Sequence, residues 1–168
     1  INPNYPEVQG LKAYKSILDV DGEVELALIA LPAAATLQAI RECADKGVKA
    51  VVIFTSGFAE SGGEGRAAQL EMQHIATQAG MRIVGPNCMG IAAFDHNMMI
   101  TFGTSMLNLP PELGPVSIVS QSGAFGSVAY AEARQRHLGV RLWATTGNEA
   151  DVSVADCLNY YVEDPETK

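Results

Sequence analysis

Two serines and a glycine stand at the corner between an apolar run and a helix-like pattern. The run Val116–Val119 is followed by Ser120, Gln121, Ser122 and Gly123, after which apolar residues recur at helical spacing. The first N–H groups of a helix lack intrahelical partners and favour negative charge, so small residues there let a phosphate or carboxylate approach. A serine in the same place is also an ordinary helix cap. The corner predicts an anion site or a plain cap, and the sequence leaves both open.

Four other apolar runs end in small or polar residues of a similar kind. The carboxyl ends of parallel strands meet at one edge of a sheet, where open α/β proteins bind their ligands. We therefore expect these segments to lie near one another. They are Pro32–Ala34, Thr55–Gly63, Gly85–Gly90 and Thr146–Asp151.

One pattern of elements repeats three times along the chain. An apolar run is followed by a helical face and then by a glycine that stops the helix. Because the runs are apolar throughout rather than alternating, they are typical of parallel strands covered on both faces. The sequence therefore predicts an α/β fold of right-handed βαβ units. The runs are Glu25–Pro32, Lys49–Gly57 and Pro115–Gly123, and the stopping glycines are Gly47, Gly80 and Gly139.

The segment Phe94–Gly114 breaks this pattern. It ends in a proline-rich stretch and is interpreted as a crossover or linker, with a domain boundary near Asn108–Gly114. The pattern also calls for a strand before Ile1 and another after the helix predicted at Val152–Val162. Truncation at both ends is therefore expected, the alternative being one compact domain with natural termini.

Composition excludes several classes of partner. The chain has 168 residues, 48% of them hydrophobic, and a net charge of −8 with 11 scattered basic residues. This balance disfavours nucleic acid and anionic membranes as partners, and no apolar stretch is long enough to span a bilayer. No signal peptide is visible. Cys43, Cys88 and Cys157 form no metal-ligand spacing and are interpreted as reduced thiols of a cytoplasmic protein without a metal site.

Other reactive residues give weaker signals. The stretch Ser61–Gly65 is rich in glycine but is not a P-loop, because no Gly-Lys-Ser/Thr follows it. Glu60 is either a base or a solvated loop charge. His74, His96 and His137 are isolated, and no Ser/His/Asp triad can be assembled from the sequence.

Taken in order, the corners resemble those of nucleoside-diphosphate-forming acyl-CoA synthetases, the acetate and aryl-acid relatives of the succinyl-CoA synthetase alpha subunit. The resemblance covers nearly the whole chain and is most specific in three of the motifs. The motifs are "INPNYPEVQGLKAY", "LALIALPAAAT", "GVKAVVIFTSGFAE", "IVGPNCMGI", "GPVSIVSQSGAFG" and "TTGNEADV", of which "GPNCMG", "SQSGAFG" and "GNEADV" are the specific ones.

The resemblance implies two domains. Residues 1–108 would form a Rossmann-like, parallel-sheet CoA-binding domain lacking its first strand and glycine-rich loop, and residues 109–168 would begin a flavodoxin-like ligase domain. The histidine that carries phosphate, and the nucleotide-binding ATP-grasp part, would lie outside these residues. The chain alone is therefore expected to bind CoA weakly and not to phosphorylate itself on histidine.

Family roles carry over to matching positions. CoA is expected beside three stretches: Asn2, Pro3 and Asn4; Leu31 and Pro32; and Phe54, Thr55 and Ser56. The wall of the catalytic site, which receives the acyl phosphate or phosphohistidine, is expected at Asn87, Ser120, Ser122, Gly123, Gly147 and Asn148.

Three positions depart from the succinate enzymes. Ser56 stands where those enzymes have a glutamate, Ser127 where they have a tyrosine, and Gln121 where they have an arginine. The tyrosine lies near the acid in that family. Its replacement by Ser127, together with that of the arginine by Gln121, disfavours a dicarboxylate substrate.

The implied reaction interconverts acyl-CoA, phosphate and nucleoside diphosphate with acid, CoA and nucleoside triphosphate. Its partners would be CoA or acyl-CoA, phosphate, ATP or ADP with magnesium, and an ATP-grasp domain or subunit, in an oligomeric parent protein. One alternative is a CoA- or acyl-CoA-sensing regulatory module fused to a protein acetyltransferase. A second is a nicotinamide-binding Rossmann enzyme, against which the "GPNCMG" and "SQSGAFG" motifs argue.

Overall fold

The computed structural model describes all residues from Ile1 to Lys168, and its strands form three sheets. A small antiparallel hairpin comes first, then a three-stranded sheet and a four-stranded one. The strands are β1 (Glu7–Val8), β2 (Leu11–Lys12), β3 (Leu26–Ile29), β4 (Ala50–Ile53), β5 (Arg82–Val84), β6 (Gly90–Ala93), β7 (Met98–Thr101), β8 (Val116–Ser120) and β9 (Val140–Thr145).

Five α-helices pack against these sheets. Two of them end at a glycine in the left-handed conformation, as predicted: Gly47 has φ 79° and Gly80 has φ 64°. No helix is long and apolar enough to cross a membrane. The helices are α1 (Ala33–Lys46), α2 (Gly63–Ala79), α3 (Ser105–Asn108), α4 (Gly123–Gln135) and α5 (Val154–Glu163).

The first large sheet has the order β3-β4-β5, and both of its strand pairs are parallel. Its core is contributed by the strands and by α1 and α2. The side chains of Ile40, Val51, Ile53, Met72 and Ile83 are fully buried there. The predicted α/β class is confirmed, because apolar runs covered by helices do form this parallel sheet.

The second large sheet has the order β7-β6-β9-β8. Strand β8 runs parallel to β9, whereas β6 is antiparallel to both β9 and β7. Helix α4 covers this sheet, and Tyr130 on the helix is buried beside Trp143 of β9. The indole Nε1 of Trp143 donates to Gly126 O at 2.9 Å, which fixes the first turns of α4 against the strand.

The linker expected at Phe94–Gly114 is not a free connection, and this part of the prediction was wrong. Asn97 adopts φ 54° and reverses the chain, so that β7 pairs with β6 between Gly90 and Thr101. The hairpin escaped prediction because its two strands are short and its turn contains no glycine. The domain boundary between residues 108 and 109 remains a prediction, although the second sheet contains strands from both sides of it.

The loop after β9 joins the two large sheets. Its backbone N–H groups at Asn148, Ala150 and Val152 donate to Pro86, Gly85 and Ile83 at 2.8, 2.9 and 3.0 Å. The loop therefore runs along the end of the first sheet. This docking brings the carboxyl ends of β4, β5, β8 and β9 to one place.

Candidate functional site

The start of α4 shows the helix cap, which is one of the two roles that the sequence left open. Ser122 caps the helix, because its Oγ accepts from Phe125 N at 3.3 Å. The Ser120 hydroxyl accepts from Ser122 N at 3.1 Å and donates to Ser122 O at 2.9 Å. Both hydroxyls thus shape the corner. The N–H groups of Gly123 and Ala124, in the first turn, have no intrahelical acceptor, so an anion site at this helix start stays a prediction.

An open cleft of about 320 Å³ lies directly at this helix start. One side is polar and is formed by the first residues of α4 with Asn87. The other side is apolar: the rings of Phe54 and Phe102 meet edge to face, with centroids 4.9 Å apart. The cleft is lined by Phe54, Asn87, Cys88, Met89, Phe102, Gln121, Ser122, Gly123 and Ala124.

Sequence reasoning assigned no site role to Met89 or Phe102. A Cβ at Gly123 would come within 2.5 Å of Met89 Cγ, so the helix start rests directly on this methionine. Phe102 follows β7, in the stretch interpreted as a linker, and no local signal marked it. The apolar half of the cleft therefore became visible only in the structure.

Three of the predicted wall residues, Asn87, Gly147 and Asn148, come together beside α4. Gly147 exchanges two hydrogen bonds with Gln121: its N–H donates to Gln121 O at 3.1 Å, and its carbonyl accepts from Gln121 Nε2 at 2.6 Å. Asn87, with φ 60°, donates its backbone N–H to Thr55 O at 2.9 Å. The structure thus brings the serine corner (Ser120–Gly123), Asn87 and the end of β4 together.

Part of the CoA side predicted from the sequence also assembles. Thr55 Oγ1 donates to Leu31 O at 2.6 Å, which links the segments after β3 and β4. Phe54, in the same segment, reaches the cleft. Pro32 precedes α1, where its carbonyl accepts from Thr36 Oγ1 at 3.3 Å. Ser56 is exposed.

The segment Asn2-Pro3-Asn4 is held separately. Asn2 N donates to Tyr14 O at 2.9 Å, and Asn4 N donates to Asn2 Oδ1 at 3.0 Å. No hydrogen bond joins the segment to Leu31 or Thr55. Its contact with CoA, like the other site assignments, remains a prediction.

Glu60 is neither isolated nor simply solvated. Its carboxylate accepts from the backbone N–H groups of Gly57 at 2.5 Å and Phe58 at 3.1 Å, and from the side-chain amide of Asn148. Burial opposes the charge, but these hydrogen bonds outweigh it and lower the pKa of Glu60. Glu60 is therefore an ionised acceptor that organises its own loop and reaches Asn148.

The remaining reactive groups do not supply a nucleophile or a metal site. Burial raises the pKa of Cys88 to about 11, so its thiol stays protonated at neutral pH. None of His74, His96 and His137 lines the cleft. No group of three or more His, Cys, Asp or Glu side chains is placed to hold a metal ion.

Comparison with known families divides the chain into two parts. Residues 1–93 match a family described as CoA binding domain. Residues 113–168 match a family described as succinyl-CoA ligase like flavodoxin domain.

Individual relatives match over the whole chain. The alpha subunit of ADP-forming acetate–CoA ligase II from Pyrococcus furiosus is 41% identical over 168 residues, which are 100% of this chain and 36% of that protein. A trans-feruloyl-CoA synthase from an unknown prokaryotic organism is 36% identical over 99% of this chain and 24% of its own length.

A solved structure of a relative has the same fold over nearly the whole chain. The dinucleotide forming acetyl-coenzyme A synthetase 1 of Ca. Korarchaeum cryptofilum, in complex with phosphate and ADP, superimposes with a TM-score of 0.88 at 35% identity. The match covers 99% of this chain and 35% of that one. The chain thus spans about a quarter to a third of the length of these relatives.

Proposed function

The chain belongs to the CoA binding domain family and continues into a succinyl-CoA ligase like flavodoxin domain. From this premise we propose that it forms the part of an ADP-forming acyl-CoA synthetase that binds CoA and the acyl phosphate. The reaction is acyl-CoA, phosphate and ADP to carboxylic acid, CoA and ATP, and it is reversible. A phosphate oxygen attacks the thioester carbonyl carbon, the carbon–sulfur bond breaks, and acyl phosphate forms while CoA leaves as a thiolate that takes a proton from solvent. Transfer of the phosphoryl group from the acyl phosphate, first to a histidine and then to ADP, breaks its phosphorus–oxygen bond and releases the carboxylate.

The observation that carries this proposal is the position of the α4 start. Its unpaired N–H groups at Gly123 and Ala124 open into the same cleft that the end of β4 reaches through Phe54. Preorganised donors of this kind stabilise the charge on a phosphoryl group without reorganisation during the reaction. The apolar pair of Phe54 and Phe102 offers the adjoining surface to the acyl group.

The nucleotide step is assigned to other parts of the parent protein. We propose that an ATP-grasp domain or subunit binds ATP or ADP with magnesium, and that a histidine outside these residues carries the phosphoryl group. The cytoplasmic setting and an oligomeric parent remain predictions. The relatives are named as ligases or synthases, which favours this reaction over a regulatory module of a fused acetyltransferase.

Titration with inorganic phosphate tests the anion site. In the ¹⁵N-labelled chain, the amide signals of Gly123 and Ala124 are expected to shift saturably at millimolar phosphate, because their N–H groups lack other acceptors. The start of α5 is the internal control. There Val154 N already donates to Glu149 Oε1 at 3.0 Å, and the Asp156 carboxylate, which accepts from Ser153 N at 2.9 Å, places a negative charge at the helix start. Val154 and Ala155 should therefore not respond to phosphate. Equal shifts at both helix starts, or none at α4, would contradict the proposal.

Titration with CoA tests the predicted CoA contacts of the segments that follow β3 and β4. The amide signals of Leu31, Thr55 and Ser56 are expected to shift, since these residues follow the neighbouring strands β3 and β4. The variant Thr55→Val removes the donor to Leu31 O and is expected to weaken CoA binding severalfold without altering the phosphate response. Shifts confined to the opposite edge of the sheet would show that the CoA side is misassigned.

A further inference from the structure

The side-chain amide of Asn148 uses both of its donors within the protein. Its Nδ2 donates to a carboxylate oxygen of Glu60 and to Gln69 Oε1, the latter at 3.0 Å. Its Oδ1 accepts from Asn87 Nδ2 at 3.3 Å. A primary amide has two donor hydrogens. None remains for a substrate, so in this arrangement the Asn148 side chain does not donate to one.

The two acceptors are themselves fixed in place. Glu60 is anchored by the backbone N–H groups of Gly57 and Phe58. Gln69 lies on α2 with only 8% of its surface exposed, and its Oε1 also accepts from Ala59 N at 3.2 Å. Both acceptors therefore belong to one hydrogen-bonded unit formed by α2 and the loop that precedes it.

The other side of Asn148 reaches the cleft. Its backbone N–H donates to Pro86 O at 2.8 Å, and its Oδ1 holds the side chain of Asn87, which lines the cleft. Asn87 Oδ1 has no protein partner and remains free as an acceptor. The orientation of Asn87 thus depends on groups that are distant in sequence: Glu60 and Asn148 are 88 positions apart.

We infer that Glu60 and Gln69 are positioning residues: they hold the Asn148 amide, and through it the side chain of Asn87, at the wall of the cleft. We call these four side chains, Glu60, Gln69, Asn87 and Asn148, the amide clasp. The inference rests on the proposed function only for the role of Asn87 at the acyl-phosphate wall. The clasp joins the loop after β4, on the CoA side, to the corner where the reaction takes place.

The side-chain amide signals of the ¹⁵N-labelled chain test the clasp without any substrate. Asn159 is the internal reference, because it is exposed and its side chain makes no hydrogen bond. The Asn148 amide hydrogens are expected to exchange with water about tenfold more slowly than those of Asn159, since both are bonded and one acceptor is charged. In Glu60→Gln the hydrogen bonded to residue 60 should lose its protection, to within about twofold of Asn159, while the hydrogen bonded to Gln69 stays protected. The Asn87 amide signals should shift as well.

Glu60→Gln is expected to disturb the clasp because glutamine replaces one carboxylate oxygen, an acceptor, with an NH₂ donor. Three N–H donors converge on the Glu60 carboxylate, and a glutamine would present its own NH₂ to at least one of them. Glu64→Gln is the matched control, because it removes the same charge from an exposed residue in the first turn of α2. It should leave the Asn87 and Asn148 signals unchanged.

A second variant covers the case in which Glu60→Gln fails to fold. Gln69→Met keeps the length of the side chain but removes its acceptor, so only one of the two Asn148 hydrogens should lose protection. Unchanged protection in a folded variant of either kind, or fast exchange of Asn148 in the parent chain, would overturn the inference. Because no substrate is present in this test, a failed phosphate titration would contradict the proposed function and leave the clasp intact.

Discussion

Replacing Gly147 with alanine is expected to destabilise the protein by about 2–5 kcal/mol. Gly147 has φ 60°, and a Cβ there would lie 2.3 Å from Pro86 O and 2.5 Å from Asn87 O. Both obstacles are backbone atoms of the loop that carries Asn87, so no side-chain rotation relieves the clash. The loop after β9 must move away from residues 86 and 87.

Gly80→Ala separates the clash from the backbone strain. Gly80 has φ 64°, but a Cβ there would meet nothing within 4 Å. This control should cost only about 1–2 kcal/mol, the penalty for the left-handed conformation. Thermal unfolding of both variants gives the comparison, with a decrease in Tm of about 5–15 °C expected for Gly147→Ala. Equal decreases would mean that the loop absorbs the added methyl group.

Thr145→Val is expected to cost about 2–5 kcal/mol, although the two side chains have nearly the same shape. Thr145 is fully buried, and its Oγ1 accepts from Met89 N at 2.8 Å and from Gly90 N at 3.1 Å. Valine would leave these two N–H groups without an acceptor in a site closed to water. Met89 supports Gly123, so the start of α4 should be disturbed as well.

Thr145→Ser keeps the hydroxyl and is the matched control. It removes only the methyl group that lies close to Gly126, at a cost of about 0.5–1.5 kcal/mol. Denaturant unfolding measures both variants, and the amide signals of Gly123 and Ala124 report on the helix start. A serine variant as unstable as the valine variant would show that packing, not the hydroxyl, holds this corner.

These two positions show how the fold serves the proposed reaction. Gly147 lets the loop after β9 approach the backbone of Pro86 and Asn87, and Thr145 fixes the backbone at Met89 through a hydrogen bond. Neither residue needs to touch a substrate. Each sets the distance between the donors at the start of α4 and the other walls of the cleft, and a displacement of about 1 Å in such a site can be costly.

The sequence by itself determined the class of fold and the segments that build the site. Continuous apolar runs followed by helical faces and stopping glycines are local patterns, and they predicted β3, β4, β8, α1 and α2 well. The serine corner was equally local, because cap, hydroxyls and first turn lie within five residues. The resemblance of the chain to acyl-CoA synthetases also depends on short local motifs.

The tertiary structure decided which of these segments meet and what the side chains do there. Nothing near Glu60 in the sequence indicates that it accepts from Asn148, and nothing near Phe102 indicates that it packs on Phe54. The hairpin of β6 and β7 was missed for a related reason: short strands bury little on their own and are stabilised by β9, which follows much later in the chain. Pairing between distant segments depends on packing and on the satisfaction of buried polar groups, which no local pattern records.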